Sequence, residues 1–358
     1  MISISLCMIV KNEEDVLARC LDSAKDLVDE IIIVDTGSTD TTKDIAKSYT
    51  NLVYDFEWID DFSAARNFSF SKATMEYCMW LDADDIILES DAKEFLELKD
   101  SLDKTTDIVM LKYNTAFDQN GKPTFSYYRE RIIKNKMGYK WNSPIHEVIN
   151  LSGTILHSSI SIAHRKLHPT DPDRNLNIFE RMIEKKMFLD PRQQFYYARE
   201  LYYHARYEEA IAILTTFIDS GLGWIENVIE GCKLLSECYS NLNLNHKVLE
   251  ALLKSLQYDV PRAELCCEIG AHFFNKNEFV KAVFWYTLAS TRIPKYESGG
   301  FILPDTYGYL PFMQLCVCYN HLGDIKKAEF YNEKAGQIKP DSSAYLYNKK
   351  YFNSLKIV

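Results

Sequence analysis

The sequence predicts two unlike halves: an α/β domain built on a parallel sheet, followed by an all-α array of stacked helix pairs. Residues 2 to about 113 alternate short β-rich runs with helical patterns, the signature of βαβ units. Residues 193–340 instead repeat one pattern of small and aromatic positions in helix pairs. A chain of 358 residues with 47% hydrophobic content has the length and apolar surface for two packed cores. The expected division is a sheet domain over 1–168, a linking helix within 169–192 and a repeat domain over 193–358.

Within the first half, Ser3 to Val10 reads as a strand followed by a helix from Glu14 to about Val28. Glu30 to Asp35 leads to a helix over Asp40–Tyr49, and Leu52 to Phe56 to one over Asp61–Ala73; Tyr77 to Leu81 then runs into an acidic cluster. The uninterrupted apolar runs Ile31-Ile32-Ile33-Val34 and Cys78-Met79-Trp80-Leu81 suit central strands covered on both faces. Ile108–Tyr113 and Phe125–Lys134 flank an Asn120-Gly121 turn signal with no helix between them, which predicts a hairpin appended to the sheet. After Pro169 and Asp171-Pro172, a helix is expected from Asp173, with Leu176, Phe179, Ile183 and Met187 on one face, joining the halves.

In the second half the copies align on Ala198, Tyr207 and Ala210; on Ser236, Tyr239 and Val248; on Gly270, Phe273, Phe279, Ala282, Ala289 and Pro294; and on Cys316, Tyr319, Gly323, Ala328, Ala335 and Pro340. The anchors 210, 248, 282 and 328 lie 38, 34 and 46 residues apart, the longest interval holding Gly299-Gly300 and Pro304. These copies resemble tetratricopeptide repeats, whose period is about 34 residues. A helix pair cannot bury its apolar face alone, so such pairs stack into a superhelix with a concave surface suited to an extended peptide.

The formal charge of −10, with no run of Lys and Arg, argues against nucleic acid as a partner. Ile2–Val10 is too short and too closely followed by Lys11, Asn12, Glu13 and Glu14 for a secretory signal, and reads as a first strand. No segment reaches the roughly 20 apolar residues that cross a bilayer. Nine scattered cysteines without paired CxxC halves point to buried thiols in a reducing cytoplasm rather than to zinc or disulfides.

Chemistry concentrates in Cys78-Met79-Trp80-Leu81-Asp82-Ala83-Asp84-Asp85, where an apolar strand ends in three carboxylates within four residues. Hard oxygen ligands at a strand end suit magnesium or manganese, although Asp84 and Asp85 read equally well as caps of a helix near Glu89. Upstream, Asp35 closes the second strand, where an open α/β sheet binds ligands, and its carboxylate can accept a hydrogen bond from a pyrimidine N–H. Asp40 is the expected N-cap of the following helix.

Four segments occur in order: Leu6 to Glu14, Ile33 to Thr42, Asp61-Phe62-Ser63-Ala64-Ala65-Arg66-Asn67, and Trp80 to Asp85. Together they resemble the family-two glycosyltransferases with a GT-A fold over residues 2 to about 165. The resemblance implies that Val10, Asn12, Glu13 and Asp35 embrace the base and ribose of a nucleotide sugar, with Arg66 contacting base or diphosphate. It implies that Asp82, Ala83 and Asp84 form the diphosphate site, Asp82 toward the ribose or a metal-bound water and Asp84 on the cation, with Asp85 in support. Relatives add a late histidine to the metal, which nominates His164, with His168 as competitor. Trp141-Asn142-Ser143-Pro144-Ile145-His146-Glu147 resembles the Trp…His-Glu segment of tetratricopeptide-linked members; it nominates Glu147 as base and His146 as a positioning group, or the pair as a loop brace.

The expected function is inverting, Mn2+- or Mg2+-dependent transfer of a hexose or N-acetylhexosamine from a UDP-sugar to a peptide or protein held by the repeats. A transferase building a cell-surface glycan or glycolipid, with the repeats binding a partner or forming a homo-oligomer, is the alternative. A non-catalytic scaffold fits poorly because Asp82, Asp84 and Arg66 are all present. A nucleotidyltransferase fits poorly because Lys11-Asn12-Glu13-Glu14 lacks glycine.

Overall fold

The computed structural model describes residues 1–118, 121, 123–167, 171–295, 298–300 and 302–356, in two compact units, Met1–Phe188 and Leu189–Val358. Asn120 of the turn signal, Pro169 and His168 lie outside the described residues.

In the first unit β1 (Ile4–Val10), α1 (Leu17–Ala24), β2 (Glu30–Asp35), α2 (Thr42–Tyr49), β3 (Val53–Asp55), α3 (Phe62–Ser71) and β4 (Tyr77–Trp80) follow the expected alternation. Next come β5 (Asp85–Ile87), α4 (Glu89–Ser101), β6 (Ile108–Phe117), β7 (Pro123–Lys134), the two-residue β8 (Trp141–Asn142) and β9 (Val148–Ile149), β10 (Ile155–His164) and α5 (Arg174–Glu184). The main sheet runs β3-β2-β1-β4-β7-β6-β10-β5. Its first four strands are parallel, whereas β7 is antiparallel to β4 and β6, and β5 to β10.

β1 is apolar on both sides because both are covered. Leu6, Met8 and Val10 pack with Leu17 and Leu21 of α1 and Ala46 of α2, while Cys7 joins Ile32, Cys78 and Phe70 of α3 on the other face. Leu17 and Leu21 are fully buried, so cutting either to alanine costs about 2–5 kcal/mol. The chain leaves β1 for β2 on one side and reaches β4 on the other, so a topological switch point lies between the carboxyl ends of β1 and β4.

Three expectations are corrected. The hairpin of β6 and β7 is no appendage: β7 lies between β4 and β6, because its apolar Ile132 and Ile133 pair with Met79 and Cys78 and extend the sheet core. Asp85 caps no helix; it opens β5, and α4 starts after Leu88 without a side-chain cap. The helix expected from Asp173 is α5, which falls inside the first unit and buries Leu176, Ile178, Phe179 and Met182, while Ile183 and Met187 are exposed.

The second unit stacks helix pairs: α6 (Pro191–Tyr203) with α7 (Tyr207–Ser220), α8 (Ile225–Asn241) with α9 (Asn245–Lys254), α10 (Ala263–Asn275) with α11 (Phe279–Ser290), and α12 (Tyr309–His321) with α13 (Ile325–Ile338), closed by α14 (Ser343–Leu355). Ala198, Ala210, Ala282, Ala289, Ala328 and Ala335 are fully buried where helices approach closely. A Cβ on Gly270 would meet the Tyr286 ring at 2.9 Å. Val248, the bulkier anchor, is accommodated half-buried against Leu252 and Ile269. Each pair turns through a left-handed residue five positions ahead of its anchor: Ala205, Asn243, Asn277 and Gly323, with φ of 56°, 58°, 59° and 79°. Glycine and asparagine tolerate this conformation and alanine does not. All nine cysteines are free and buried, and among the described residues no helix is long and apolar enough to cross a membrane.

Replacing Ala205 with glycine relieves the left-handed strain and offsets glycine's larger unfolded-state entropy, so urea unfolding should show a gain of about 0.5–1 kcal/mol. The same change at Asn277 should gain less, because asparagine already tolerates the turn; equal gains would remove the steric explanation.

Candidate active site

At the switch point the loops after β1 and β2 are zipped together. The Val10 carbonyl accepts from Thr36 N (2.9 Å) and Thr36 Oγ1 (3.1 Å). Asn12, at φ 53°, donates its N–H to Ser38 Oγ (2.9 Å), and its Oδ1 accepts from Thr39 N (2.8 Å). Glu13 N donates to Thr42 Oγ1 (2.7 Å), and the Glu14 carboxylate accepts from Thr41 N (3.0 Å) and Thr41 Oγ1 (2.6 Å). The hydroxyl-rich run Thr36 to Thr42 therefore serves the opposite loop as much as its own helix. Asp40 accepts from Thr42 N (3.0 Å) at the start of α2. Asp35 holds the turn with Oδ1, which accepts from Gly37 N and Ser38 N (both 3.0 Å), while its buried Oδ2 has no hydrogen-bond partner among the described residues. An unsatisfied acceptor beside a loop cradle fits a ligand N–H.

Arg66 is the hub of the site rather than an exposed helical residue. Asp61 caps α3 by accepting from Ala64 N (2.9 Å), which sets the helix so that Arg66 points inward. Its Nε donates to Glu147 Oε1 (2.6 Å) and its Nη2 to Asp82 Oδ1 (2.8 Å), with the guanidinium 4.7 Å from the Trp80 ring and 5.1 Å from Trp141. The next residue, Asn67, clasps Trp141 through both its backbone groups at 2.9 Å, and Phe62 N donates to the Pro144 carbonyl (2.8 Å). Consecutive residues of α3 thereby fix the segment 141–147. His146 stacks at 6.2 Å on buried Phe179 of α5, and Glu147 braces Arg66.

The acidic loop is tied down from beneath. Asp85 is fully buried: its Oδ2 accepts from Asp82 N (3.0 Å) and Arg131 Nη1 (3.0 Å), and its Oδ1 accepts from Tyr113 Oη (2.9 Å). Ala83 is buried, and Asp84 approaches His164, whose Nδ1 is 3.2 Å from both Asp84 Oδ1 and Asp85 Oδ1. Antiparallel pairing of β5 with β10 sets His164 opposite Asp85. Among the described residues, Asp84, Asp85 and His164 bring ligand atoms within 4.8 Å of one another. Carboxylate oxygen with imidazole nitrogen suits manganese and accepts magnesium. The set therefore fits a divalent cation, with Asp84 and His164 able to hold it and Asp85 already committed to Arg131, Tyr113 and Asp82.

The electrostatics show how crowded the carboxylates are. Burial works against ionisation of Asp82, but Arg66 and Arg131 outweigh it and hold the carboxyl at about 2. Burial, with Asp84 and Asp82, pushes Glu13 up to about 7. Burial lowers the His164 imidazole, yet hydrogen bonds to Asp84 and Asp85 override this and raise it to about 10. In this state a proton on His164 supplies the positive charge that the carboxylates demand. The candidates Val10, Asn12, Glu13, Asp35, Asp82, Ala83, Asp84, His146, Glu147 and His164 lie on loops or strand ends of one domain, and Arg66 reaches them from within α3. Sequence reasoning missed Arg131 and Tyr113, which sit in strands with no motif around them. It also missed Arg174, which stacks 5.0 Å from Phe62 and acts electrostatically on Glu13.

The first unit thus presents a mixed sheet with a loop cradle and an acidic strand-end loop at its switch point. Residues 5–163 of this unit match the model of the family Glycosyl transferase family 2. The chain is 39% identical over 153 residues to a TPR repeat-containing protein of Synechococcus elongatus, covering 42% of this chain and 36% of that one. It is 28% identical over 233 residues to the SPbeta prophage-derived glycosyltransferase SunS of Bacillus subtilis, covering 61% of this chain and 54% of that one. The chain thus spans no more than about half of these relatives. Among solved structures it is similar to the TPR protein YrrB, with 16% identity, a TM-score of 0.38 and coverage of 50% of this chain and 84% of that one.

Because the folded pKa of Glu13 lies above the ordinary carboxylate value, the native state binds the extra proton between pH 4.5 and about 7, and stability falls as pH rises through that window. In metal-free protein, Glu13→Gln should match the wild-type melting temperature at pH 4.5 and exceed it at pH 8. A constant difference across the range would remove the electrostatic reading.

Proposed function

We propose that the first unit binds a UDP-sugar with a divalent cation, Mn2+ or Mg2+, and transfers a hexose or N-acetylhexosamine with inversion to a peptide or protein that the helical repeats engage. The observation that carries this reading is the meeting of Asp84 and His164 beside an Asp82 held ionised by Arg66, at the switch point where an open sheet binds nucleotides.

Asp35, with its unpartnered oxygen, is placed to accept from the base, while Val10, Asn12 and Glu13 line the opposite loop. Asp82, oriented by Arg66 from one side and by Asp85 through its backbone from the other, is assigned to the ribose. Asp84 and His164 would hold the cation, which supplies positive charge where the leaving diphosphate gathers negative charge. Glu147 is the candidate base for the acceptor, and His146 lies next to it at φ 52° with its ring stacked on Phe179. The contact with Arg66 Nε (2.6 Å) holds the Glu147 carboxylate in one direction. A thiol acceptor, partly thiolate near neutral pH, would need little help from it. The repeat unit supports a polypeptide acceptor because stacked helix pairs present a long concave surface.

Two substitutions test the reading in the full chain. Asp84→Asn should lower Mn2+-dependent hydrolysis of the UDP-sugar by about 100-fold or more; turnover retained at the wild-type level would sink the cation assignment. Glu147→Gln should leave UDP affinity unchanged and lower kcat for transfer by about 10²–10⁴-fold. Loss of UDP affinity with an unchanged rate would make Glu147 a brace of Arg66 and nothing more.

A further inference from the structure

Beneath the acidic loop lies a cation that no motif announces. β6 and β7 pair with Ile132 opposite Val109 and Glu130 opposite Met110, so Arg131 is the extra residue of a bulge with no cross-strand partner. A bulge re-aims its side chain out of the regular alternation. Arg131 here turns under the end of β4, where Nη1 donates to the Trp80 carbonyl (3.1 Å) and to Asp85 Oδ2 (3.0 Å). The guanidinium carbon lies 3.7 Å from the Trp80 ring centre and 4.3 Å from that of Tyr113. Both members of the pair are completely buried, and Nε and Nη2 of the arginine have no hydrogen-bond partner among the described residues.

Such a pair is a poor source of stability, because desolvating two ions cancels most of their attraction and unmatched donors add to the cost. Its effect falls instead on geometry. Paired with Arg131, Asp85 uses each oxygen twice: one receives Arg131 and the backbone N–H of Asp82, the other faces the Tyr113 hydroxyl and His164 Nδ1. Tyr113 also lies 2.9 Å from His164 Nδ1. Asp85 thus holds both ends of the cation site, the Asp82–Asp84 turn and the His164 ring.

We propose that Arg131 is a positioning residue of the cation site, acting through Asp85 to fix the Asp82–Asp84 turn and the His164 imidazole. The proposal rests on the reading of Asp84 and His164 as cation ligands. Without Arg131, Asp85 loses the ion pair that seats it, and both ligands lose their common support. Outer-sphere partners of this kind typically change metal affinity by about 10–100-fold.

The test measures Mn2+ binding alone, by calorimetry or electron paramagnetic resonance, on the full chain and its variants Arg131→Met, Arg131→Lys, Asp85→Asn and the Arg131→Met/Asp85→Asn double variant. Arg131→Met should weaken Mn2+ binding by about 10–100-fold, and Arg131→Lys should recover part of the loss. The double variant should bind no more weakly than the worse single variant, because Arg131 works through Asp85. Wild-type affinity in Arg131→Met, or losses that multiply in the double variant, would overturn the proposal. If Arg131→Met does not fold, Tyr113→Phe, which removes one hydroxyl from the same network, should weaken Mn2+ binding several-fold with little change in melting temperature; unchanged affinity there overturns the proposal too. Asp84→Asn separates the two readings. Mn2+ binding that survives Asp84→Asn refutes the cation assignment, whereas binding lost in Asp84→Asn but intact in Arg131→Met refutes only the role of Arg131.

Discussion

The architecture of the first unit turns on the pairing of a few buried and half-buried carboxylates with two arginines. Asp82, Asp84, Asp85, Glu147 and Glu13 converge at the switch point, and like charges about 4 Å apart cost roughly 4 kcal/mol at an effective dielectric near 20. Arg66 answers Asp82 and Glu147 from α3, and Arg131 answers Asp85 from β7. Much of the domain's detail follows from delivering those guanidiniums. Asp61 starts α3 at the right place, Asn67 clamps Trp141, the β7 bulge turns Arg131 inward, and Trp80 lies against both cations. Asp84 is met by His164 rather than by either of these arginines. The residual demand for positive charge is therefore focused on the residues that would hold a cation.

The helical unit answers a steric constraint rather than an electrostatic one. Helices in a stacked array must approach closely, so alanine and glycine fill the crossing points, and each tight turn needs one left-handed residue. The two constraints leave different sequence traces. Crossing points recur with the repeat and show when the copies are aligned. Charge pairs leave no periodic trace, because partners such as Arg131 and Asp85 are brought together by sheet order.

This difference explains what was legible. The alternation of β1 to β4 with α1 to α3 was readable because buried parallel strands need unbroken apolar runs and their helices need caps. The candidate residues Asn12, Asp35, Arg66, Asp82 and Asp84 were readable because each sits in a short motif at a strand end or helix start. The placement of β7 inside the sheet was not, since an Asn-Gly turn signals a hairpin and says nothing of which strand it will join. The apolar face of α5 was also misjudged: Ile183 and Met187 keep helical spacing with Phe179, but their exposure shows that the buried stripe runs instead through Ile178 and Met182.

Taken by itself, the sequence determined the division into a sheet half and a helical-repeat half, the strand-end motifs and the acidic cluster, because these depend on local spacing and composition. The tertiary structure alone decided that Asp85 is fully buried on Arg131 and caps no helix, that His164 faces it across β5 and β10, and that Glu147 shares Arg66 with Asp82. Those choices depend on which distant strands pair and in what register. They bring together residues such as Asp85, Arg131 and His164, dozens of positions apart, whose chemistry shows only once the charges share a dry interior.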